Sequence, residues 1–198
     1  MAEKILIVDF GSQFTQLIGR RIRELNVYCE IVPFNKIPAP DESVKGIILS
    51  GSPFSVRDEN APKIDLSDIK GKYPLLAICY GAQYLAKHYD GSVNASVSRE
   101  YGRAMLKIED SACPLFRGIP SNTQVWMSHG DTITNLPAGG SVTASTEDIS
   151  NAAFRIAGEE TYAVQFHPEV YHTQMGSEIL KNFTMEICGC TGDWTADS

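Results

Sequence analysis

The 198-residue chain has no long apolar run, no excess of basic residues and no cysteine pattern typical of a disulfide framework. Its apolar runs, such as 5–8 and 75–78, fall far below the roughly 20 residues that span a bilayer. The net charge of −7 argues against non-specific binding to nucleic acid or an acidic membrane, which requires a basic face. The five cysteines are odd in number and scattered, and no signal-peptide core follows the N-terminus. We therefore predict a reduced, cytoplasmic protein.

The composition indicates an ordinary globular domain. Hydrophobic residues make up 43% of the chain and charged residues 21%, and the length corresponds to one domain with a full core. We predict a domain over residues 1–190 and the start of a linker or tail over 191–198, which is polar apart from Trp194.

The first half of the sequence alternates between short apolar runs and helical periodicity. A helix is predicted after Ser12, a candidate N-cap, and another begins at Tyr80. This alternation predicts an α/β fold with a mostly parallel open sheet and helices on both faces. The strands predicted for this sheet cover 4–9, 27–32, 46–50 and 74–78.

The second half shows closer turn signals and a weaker helical pattern. Strands at 97–110, 124–127 and 141–144 predict a small antiparallel extension of the sheet. Segments 152–157 and 162–166, with Gly158 between them, indicate a hairpin that returns to the main sheet. A last helix is predicted over about 174–188, with Gly189 as its stop.

A cysteine lies where the fourth predicted strand ends and the next helix begins. Small residues stand two positions before it (Ala77) and two after it (Gly81), which is typical of a nucleophile elbow around Cys79. The positive end of the following helix favours a negative charge on the sulfur. The alternative is that Cys79 is simply a small buried apolar residue.

A thiolate nucleophile needs a proton-transfer partner, and His167 is the best placed of the four histidines. It ends a predicted strand, where side chains of a parallel sheet converge on the ligand-binding crevice. Glu169 lies two residues on, so in an extended segment it projects to the same side and can orient the ring. His88 is expected to be exposed on a helix, and His172 has no evident orienting group. A surface histidine beside a solvated glutamate is the alternative.

A tetrahedral intermediate also needs hydrogen-bond donors for its oxyanion. One candidate is the backbone N–H of Tyr80, directly after the cysteine. The second is expected from the loop 49–53, where Gly51 permits unusual backbone angles ahead of Ser52.

Together these motifs resemble the class I glutamine amidotransferases, and the resemblance covers essentially the whole chain. It rests on 50–53, 78–83 and 166–169. Within that class the chain is most similar to the glutaminase domains of GMP synthetases. The segments that favour this branch are 9–13, 20–21, 99–102, 125–131, 187–190 and 193–194. The resemblance implies the flavodoxin-like fold of this class.

The resemblance also implies roles for individual residues. Cys79 would attack the side-chain carboxamide of glutamine and form a γ-glutamyl thioester. His167 would act as base and then protonate the departing ammonia, with Glu169 orienting it, while the backbone N–H groups of Ser52 and Tyr80 would hold the oxyanion. The substrate would be bound by Gly51, Gln83, Ser128, His129, Gly130 and Asp131.

Two residues depart from the family pattern. Ser52 stands where the oxyanion loop usually has its second glycine, and Ala77 stands where a glycine usually precedes the nucleophile by two positions. The Cβ of Ser52 lies where a backbone N–H must turn inward, so we expect it to disfavour the active loop conformation.

The partner implied by the resemblance is an ATP pyrophosphatase domain or subunit that uses the ammonia to aminate xanthosine monophosphate. ATP and magnesium are expected only there, because this chain contains no nucleotide-binding motif, and no cofactor or metal is expected here. Cys188 and Cys190 offer only two thiols, too few for a zinc site. Residues 193–198 resemble the start of the connection to that domain, which favours a truncated two-domain enzyme over a separate subunit. The resemblance also implies that hydrolysis is coupled to an occupied acceptor site, so we expect weak glutaminase activity from this chain alone.

Two other functions stay open from the sequence. One is another γ-glutamyl cysteine hydrolase, or a cysteine peptidase of the same fold, and the other is a non-catalytic regulatory subunit. Neither nucleic acid nor a membrane is expected as a partner.

Overall fold

The computed structural model describes residues 2–196, with the backbone alone at 98–100, and this part of the chain forms one nine-stranded sheet. The strands are β1 (Lys4–Asp9), β2 (Cys29–Pro33), β3 (Val44–Leu49), β4 (Leu75–Ile78), β5 (Ser92–Ile108), β6 (Thr123–Asn135), β7 (Gly140–Ser145), β8 (Ala153–Ile156) and β9 (Thr161–Val164). The helices are α1 (Thr15–Glu24), α2 (Tyr80–His88) and α3 (Gly176–Lys181), with a 3₁₀ turn at Pro114–Phe116 and a π-helical segment at Asn182–Ile187.

The strand order is β2-β1-β3-β4-β9-β8-β7-β5-β6. The first five strands in this order run parallel to one another, and each of the other four pairs antiparallel with the strand before it. The predicted parallel sheet with an antiparallel extension is therefore confirmed, as is the hairpin, formed by β8 and β9. The extension is larger than predicted, because β5 and β6 run for 17 and 13 residues. Alternate residues of β6 are buried, but three of them, Thr123, His129 and Asp131, are polar, so the hydrophobic pattern is weak.

Side chains of the central strands alternate between two cores, one on each face of the sheet. In β1, Ile5 and Ile7 pack on the face that holds Ile18 of α1 and Ile179 of α3. Their neighbours Leu6 and Val8 pack on the opposite face, which is covered by α2. Because both faces of β1 are buried over residues 5–8, neither carries polar residues there, and this part of the strand is a continuous apolar run. The prediction that helices cover both faces of the sheet is confirmed.

Two local expectations are wrong. Ser12 does not cap α1, which begins at Thr15 with Phe14 at the N-cap position; the Ser12 hydroxyl accepts the Phe14 N–H at 3.0 Å in the turn before the helix. The predicted strand 162–166 ends at Val164, because the chain bends at Gln165 to cross towards β6.

The C-terminal segment also differs in detail from the uniform helix predicted over 174–188. It changes from α to π geometry at Asn182, where the Thr184 hydroxyl donates to the Leu180 carbonyl at 3.0 Å and competes with the backbone ladder. Beyond it, the Trp194 ring packs on the Tyr28 ring, and the backbone N–H of Trp194 donates to the Asn26 carbonyl at 2.9 Å.

The polar composition of residues 191–198 gave no indication that Trp194 contacts Tyr28 and Asn26. The assignment of 191–198 as a linker stays a prediction, and residues 197–198 lie outside the described part. Within that part, no helix combines the length and the apolar character needed to cross a membrane.

The parallel strands place four loops along one edge of the sheet. The carboxyl ends of β1, β3, β4 and β9 lead into the loops that begin at residues 10, 50, 79 and 165. Ligands of open α/β sheets bind along this edge, and all the residues singled out above as catalytic follow one of these four strands.

Candidate active site

Cys79 occupies a strained turn between β4 and α2. Its φ of +50° lies in the left-handed region that a residue with a side chain seldom adopts, as expected at a nucleophile elbow. A Cβ on Gly81 would lie 2.7 Å from the Leu49 Cβ, so the helix can approach the sheet this closely only with glycine there. The predicted elbow geometry is confirmed.

The buried imidazole of His167 lies between Cys79 and Glu169. Its Nδ1 is 3.1 Å from Glu169 Oε2, and the ring interacts electrostatically with the Cys79 sulfur, which shares the cleft wall with it. His167 is 4% exposed and Glu169 is fully buried, while the Phe14 ring packs edge-on against the imidazole. The structure thus brings the three predicted catalytic side chains into one chain of contacts.

This environment changes the proton affinity of His167. Burial alone lowers its pKa, but the negative charges of Glu169 and Cys79, together with hydrogen bonds to both, raise the pKa well above 6.5. The raised pKa favours the protonated form of the ring, which is the form that can donate a proton. The Cys79 sulfur and this ring together supply a nucleophile and a proton donor.

A threonine that sequence analysis missed fixes the loop that carries His167. The buried hydroxyl of Thr173 donates to the His167 carbonyl at 2.6 Å and accepts the Trp126 N–H at 3.0 Å. The His167 N–H in turn donates to the Trp126 carbonyl at 3.0 Å. Arg21 adds a hydrogen bond of 3.0 Å from Nε to the Glu169 carbonyl. The loop after β9 is therefore attached to β6 and to α1.

The backbone of the loop after β3 differs from the conformation predicted for it. Gly51 does not adopt a positive φ, so the predicted unusual backbone angle there is wrong. Its small size matters instead, because a Cβ would lie 3.4 Å from His167 Cε1. Ser52 also has an ordinary φ, and its hydroxyl accepts the Phe54 N–H at 3.2 Å. The Cβ of Ser52 thus fits the loop in this conformation.

A cleft of about 780 Å³ joins these elements. Most of the predicted site residues line it, but Glu169 and Gly51 do not, although both lie next to the His167 ring. The predicted residues on the cleft wall are Ser52, Cys79, Tyr80, Gln83, Ser128, His129, Gly130, Asp131 and His167. Tyr80 belongs to the first turn of α2, where backbone N–H groups have no acceptor within the helix.

Gln83 projects into the cleft from α2 and is almost fully buried. Its Nε2 donates to Oε1 of Gln165 at 3.2 Å, which fixes the orientation of the amide. Gln165 is itself fully buried, directly after the end of β9. Sequence analysis missed Gln165, although an amide within an apolar strand end is a signal for a buried polar contact.

The cleft wall opposite α2 carries a buried carboxylate, that of Asp131 on β6. Its Oδ1 accepts Arg57 Nε at 3.0 Å and its Oδ2 accepts the Ser55 hydroxyl at 2.5 Å. The Asp131 carbonyl also meets Nδ1 of His129. Ser55 and Arg57 were both missed, because nothing in the loop after β3 indicates a partner more than 70 residues away.

Metal ligands do not cluster in the described residues, where no three His, Cys, Asp or Glu side chains converge. Cys188 and Cys190 both have free thiols, and burial raises the pKa of Cys190 to about 11. That the chain uses no cofactor stays a prediction.

Comparison with known proteins agrees with this geometry. The family model of class I glutamine amidotransferases matches residues 6–187. The chain is 57% identical over 198 residues to the glutamine-hydrolysing GMP synthase of Bacteroides fragilis, and 58% identical to that of Porphyromonas gingivalis. All of this chain aligns, but it spans only 39% of the length of either relative.

Solved structures show the same fold. A candidate GMP synthase subunit from Thermoplasma acidophilum is 38% identical, with a TM-score of 0.79 over 95% of this chain and 94% of that one. A glutamine amidotransferase from Thermotoga maritima, 18% identical, shares the fold with a TM-score of 0.75 over 96% of this chain and 99% of that one. This chain belongs to the class I glutamine amidotransferases.

Proposed function

We propose that this chain hydrolyses the side-chain amide of glutamine and supplies the ammonia for GMP synthesis. The observation that carries the proposal is the contact between Cys79, on its strained elbow, and the buried His167–Glu169 pair. The arrangement combines a nucleophile and a proton donor on the wall of a cleft that is large enough for an amino acid, with an orienting carboxylate beside the proton donor.

The first half of the reaction forms a thioester. The Cys79 sulfur attacks the amide carbon, and the carbonyl electrons move onto oxygen. When the tetrahedral intermediate collapses, the carbon–nitrogen bond breaks and His167 gives its proton to the departing nitrogen, which leaves as ammonia. The raised pKa of His167 suits this step, because an amide nitrogen is a poor leaving group until it is protonated.

The second half returns the enzyme to its starting state. A water molecule attacks the thioester carbonyl while His167, now neutral, accepts a proton from it. The carbon–sulfur bond breaks, glutamate leaves, and the sulfur faces an imidazolium once more. Glu169 keeps Nδ1 engaged through both halves, so the same ring nitrogen serves Cys79, the leaving group and the water.

Backbone and side-chain groups around Cys79 would hold the substrate. The N–H groups of Tyr80 and Ser52 would stabilise the oxyanion. Gln83 and the segment 128–131 would contact the amino and carboxylate groups at the other end, where Asp131 supplies a negative charge for the ammonium group. Gly51 would contribute by leaving room for the His167 ring.

The partner would be an ATP pyrophosphatase domain or subunit that holds ATP, magnesium and xanthosine monophosphate and receives the ammonia. Support comes from the two GMP synthase relatives, which extend well beyond the aligned segment. On this proposal the chain acts in the cytoplasm, binds no cofactor of its own, and has weak activity until the acceptor site is occupied.

Alkylation by the glutamine analogue diazo-oxo-norleucine tests the proposal. We expect one adduct on Cys79, detected by mass spectrometry of peptides, with glutamine slowing its formation. Cys79→Ala should remove both the adduct and glutamine hydrolysis, while Cys190→Ala, the matched control, should change neither. Hydrolysis retained in Cys79→Ala contradicts the proposal, and so does a folded wild-type chain without an adduct, which would favour a non-catalytic binding subunit.

A further inference from the structure

We propose that Arg57 binds the α-carboxylate of the substrate, so that Arg57 and Asp131 together recognise the zwitterionic end of an α-amino acid. The inference rests on the proposed glutaminase function and assigns a specificity residue within that site. It starts from an ion pair that the catalytic chemistry does not use.

The ion pair crosses the cleft wall between two elements that both reach Cys79. Arg57 lies on the loop after β3, which also carries Ser52, and Asp131 lies on β6. The carboxylate of Asp131 is 7% exposed, whereas the Arg57 side chain is 45% exposed at the cleft. Arg57 Nε donates a hydrogen bond to Asp131 Oδ1 at 3.0 Å, and no described residue accepts a hydrogen bond from Nη1 or Nη2. The guanidinium therefore keeps a pair of donors for a carboxylate, the geometry that arginine is suited to bind.

Charge balance in the cleft points to the same residue. Among the described residues that line it, Arg57 is the sole lysine or arginine, and Asp131 and Asp58 are the carboxylates. An α-carboxylate placed here without Arg57 would face these negative charges. With Arg57 present, Asp131 offers an acceptor for the ammonium group and Arg57 offers donors for the carboxylate. Each Asp131 oxygen has a second lone-pair direction left beside its present hydrogen bond.

The distance from the nucleophile agrees with the size of glutamine. The Cys79 sulfur lies 3.6 Å from the Ser128 carbonyl oxygen, and Asp131 follows three residues later on the same strand. Three residues of extended strand cover about 10 Å. An extended glutamine, from its amide carbon to the α-ammonium group assigned to Asp131 and with one contact at each end, spans roughly the same length.

Protection of Cys79 against iodoacetamide tests the assignment without requiring turnover. Three probes are titrated against the alkylation rate, measured by mass spectrometry on the full chain. They are L-glutamine, glutaramate, which lacks the α-amino group, and 4-aminobutanamide, which lacks the α-carboxylate. Iodoacetamide carries no carboxylate, so its rate without a probe also shows whether each variant keeps an intact site.

Arg57→Gln should weaken protection by glutamine and by glutaramate about 10- to 100-fold, as expected for the loss of charged hydrogen bonds. Protection by 4-aminobutanamide should stay within twofold of wild type. Arg57→Lys, which keeps the charge but not the two-pronged geometry, should give an intermediate loss. Arg117→Gln is the matched control, because Arg117 is another solvent-accessible arginine paired with a carboxylate, that of Glu186, and lies outside the cleft.

Unchanged protection by glutamine in Arg57→Gln overturns the assignment. Tighter protection also overturns it, because Arg57 would then compete with the substrate ammonium group for Asp131. An equal loss for 4-aminobutanamide would show that Arg57 only supports the loop. If glutamine fails to protect the wild-type chain, the proposed function itself fails, and the assignment of Arg57 fails with it.

Discussion

His167 Nδ1 lies 3.1 Å from Glu169 Oε2, and both side chains are shielded from solvent. The carboxylate raises the pKa of His167, so we expect Glu169→Gln to lower it. Titration of the His167 ring by NMR checks this directly. The alkaline limb of the Cys79 acylation rate should move to lower pH in the variant, because the ring loses its proton earlier. An unchanged titration midpoint would contradict the role of Glu169.

The raised pKa of His167 also makes stability depend on pH. A group whose pKa is higher in the folded state binds its proton more tightly there than in the unfolded chain. Its stabilising contribution is thus complete below about pH 6.5 and is lost as the pH rises through the folded-state pKa. The difference in unfolding free energy between wild type and His167→Gln should shrink over that range in urea titrations. If the difference in unfolding free energy grows with pH, the pKa of His167 is lowered on folding and not raised.

The contact between Gly81 and Leu49 predicts a packing cost at the elbow. In Gly81→Ala the new Cβ would lie 2.7 Å from the Leu49 Cβ, so α2 must move away from the sheet. We expect a loss of about 1–3 kcal/mol in unfolding free energy, typical of overpacking. Gly130→Ala is the control, because nothing lies within 4 Å of the Cβ it would add, and it should change stability by less than about 0.5 kcal/mol. Equal effects of the two substitutions would contradict this account of the elbow.

Thr173 should act on catalysis through the position of His167. Thr173→Val keeps the shape but leaves the His167 carbonyl and the Trp126 N–H without the hydroxyl, at a cost of about 1–3 kcal/mol in stability. We also expect kcat to fall more than KM changes, since the substrate-holding side chains are elsewhere. Thr173→Ser, which retains the hydroxyl, should restore most of the activity. A purely structural role would give lower stability with kcat unchanged.

The fold was largely predictable because the central strands β1, β3 and β4 are short apolar runs, and helical periodicity follows two of them, β1 and β4. Cys79, His167 and Glu169 follow strands that end at one edge of the sheet, so their proximity also followed from topology. The size of the antiparallel extension did not, because the buried face of β6 carries the polar residues Thr123, His129 and Asp131, so its alternating burial is not visible as alternating hydrophobicity.

Long-range polar contacts marked the limit of sequence analysis at the site. Arg57 meets Asp131 across 74 residues of sequence, and Gln83 meets Gln165 across 82. Local patterns carry no information on such pairs, because they depend on which loops the sheet brings together. The prediction of an unusual backbone angle at Gly51 was also wrong because it considered only the local turn. The small size of Gly51 instead leaves room for His167, which is distant in sequence.

We propose that Cys79, next to His167 and Glu169, forms a covalent γ-glutamyl thioester during catalysis. The most direct test of this proposal is intact-mass spectrometry of the chain, quenched in acid during incubation with glutamine, followed by peptide mapping. We expect a γ-glutamyl adduct on Cys79 that disappears as glutamate accumulates and is absent from Cys79→Ala. Glutamine hydrolysis with the adduct on another residue, or hydrolysis that persists in Cys79→Ala, would contradict the proposal.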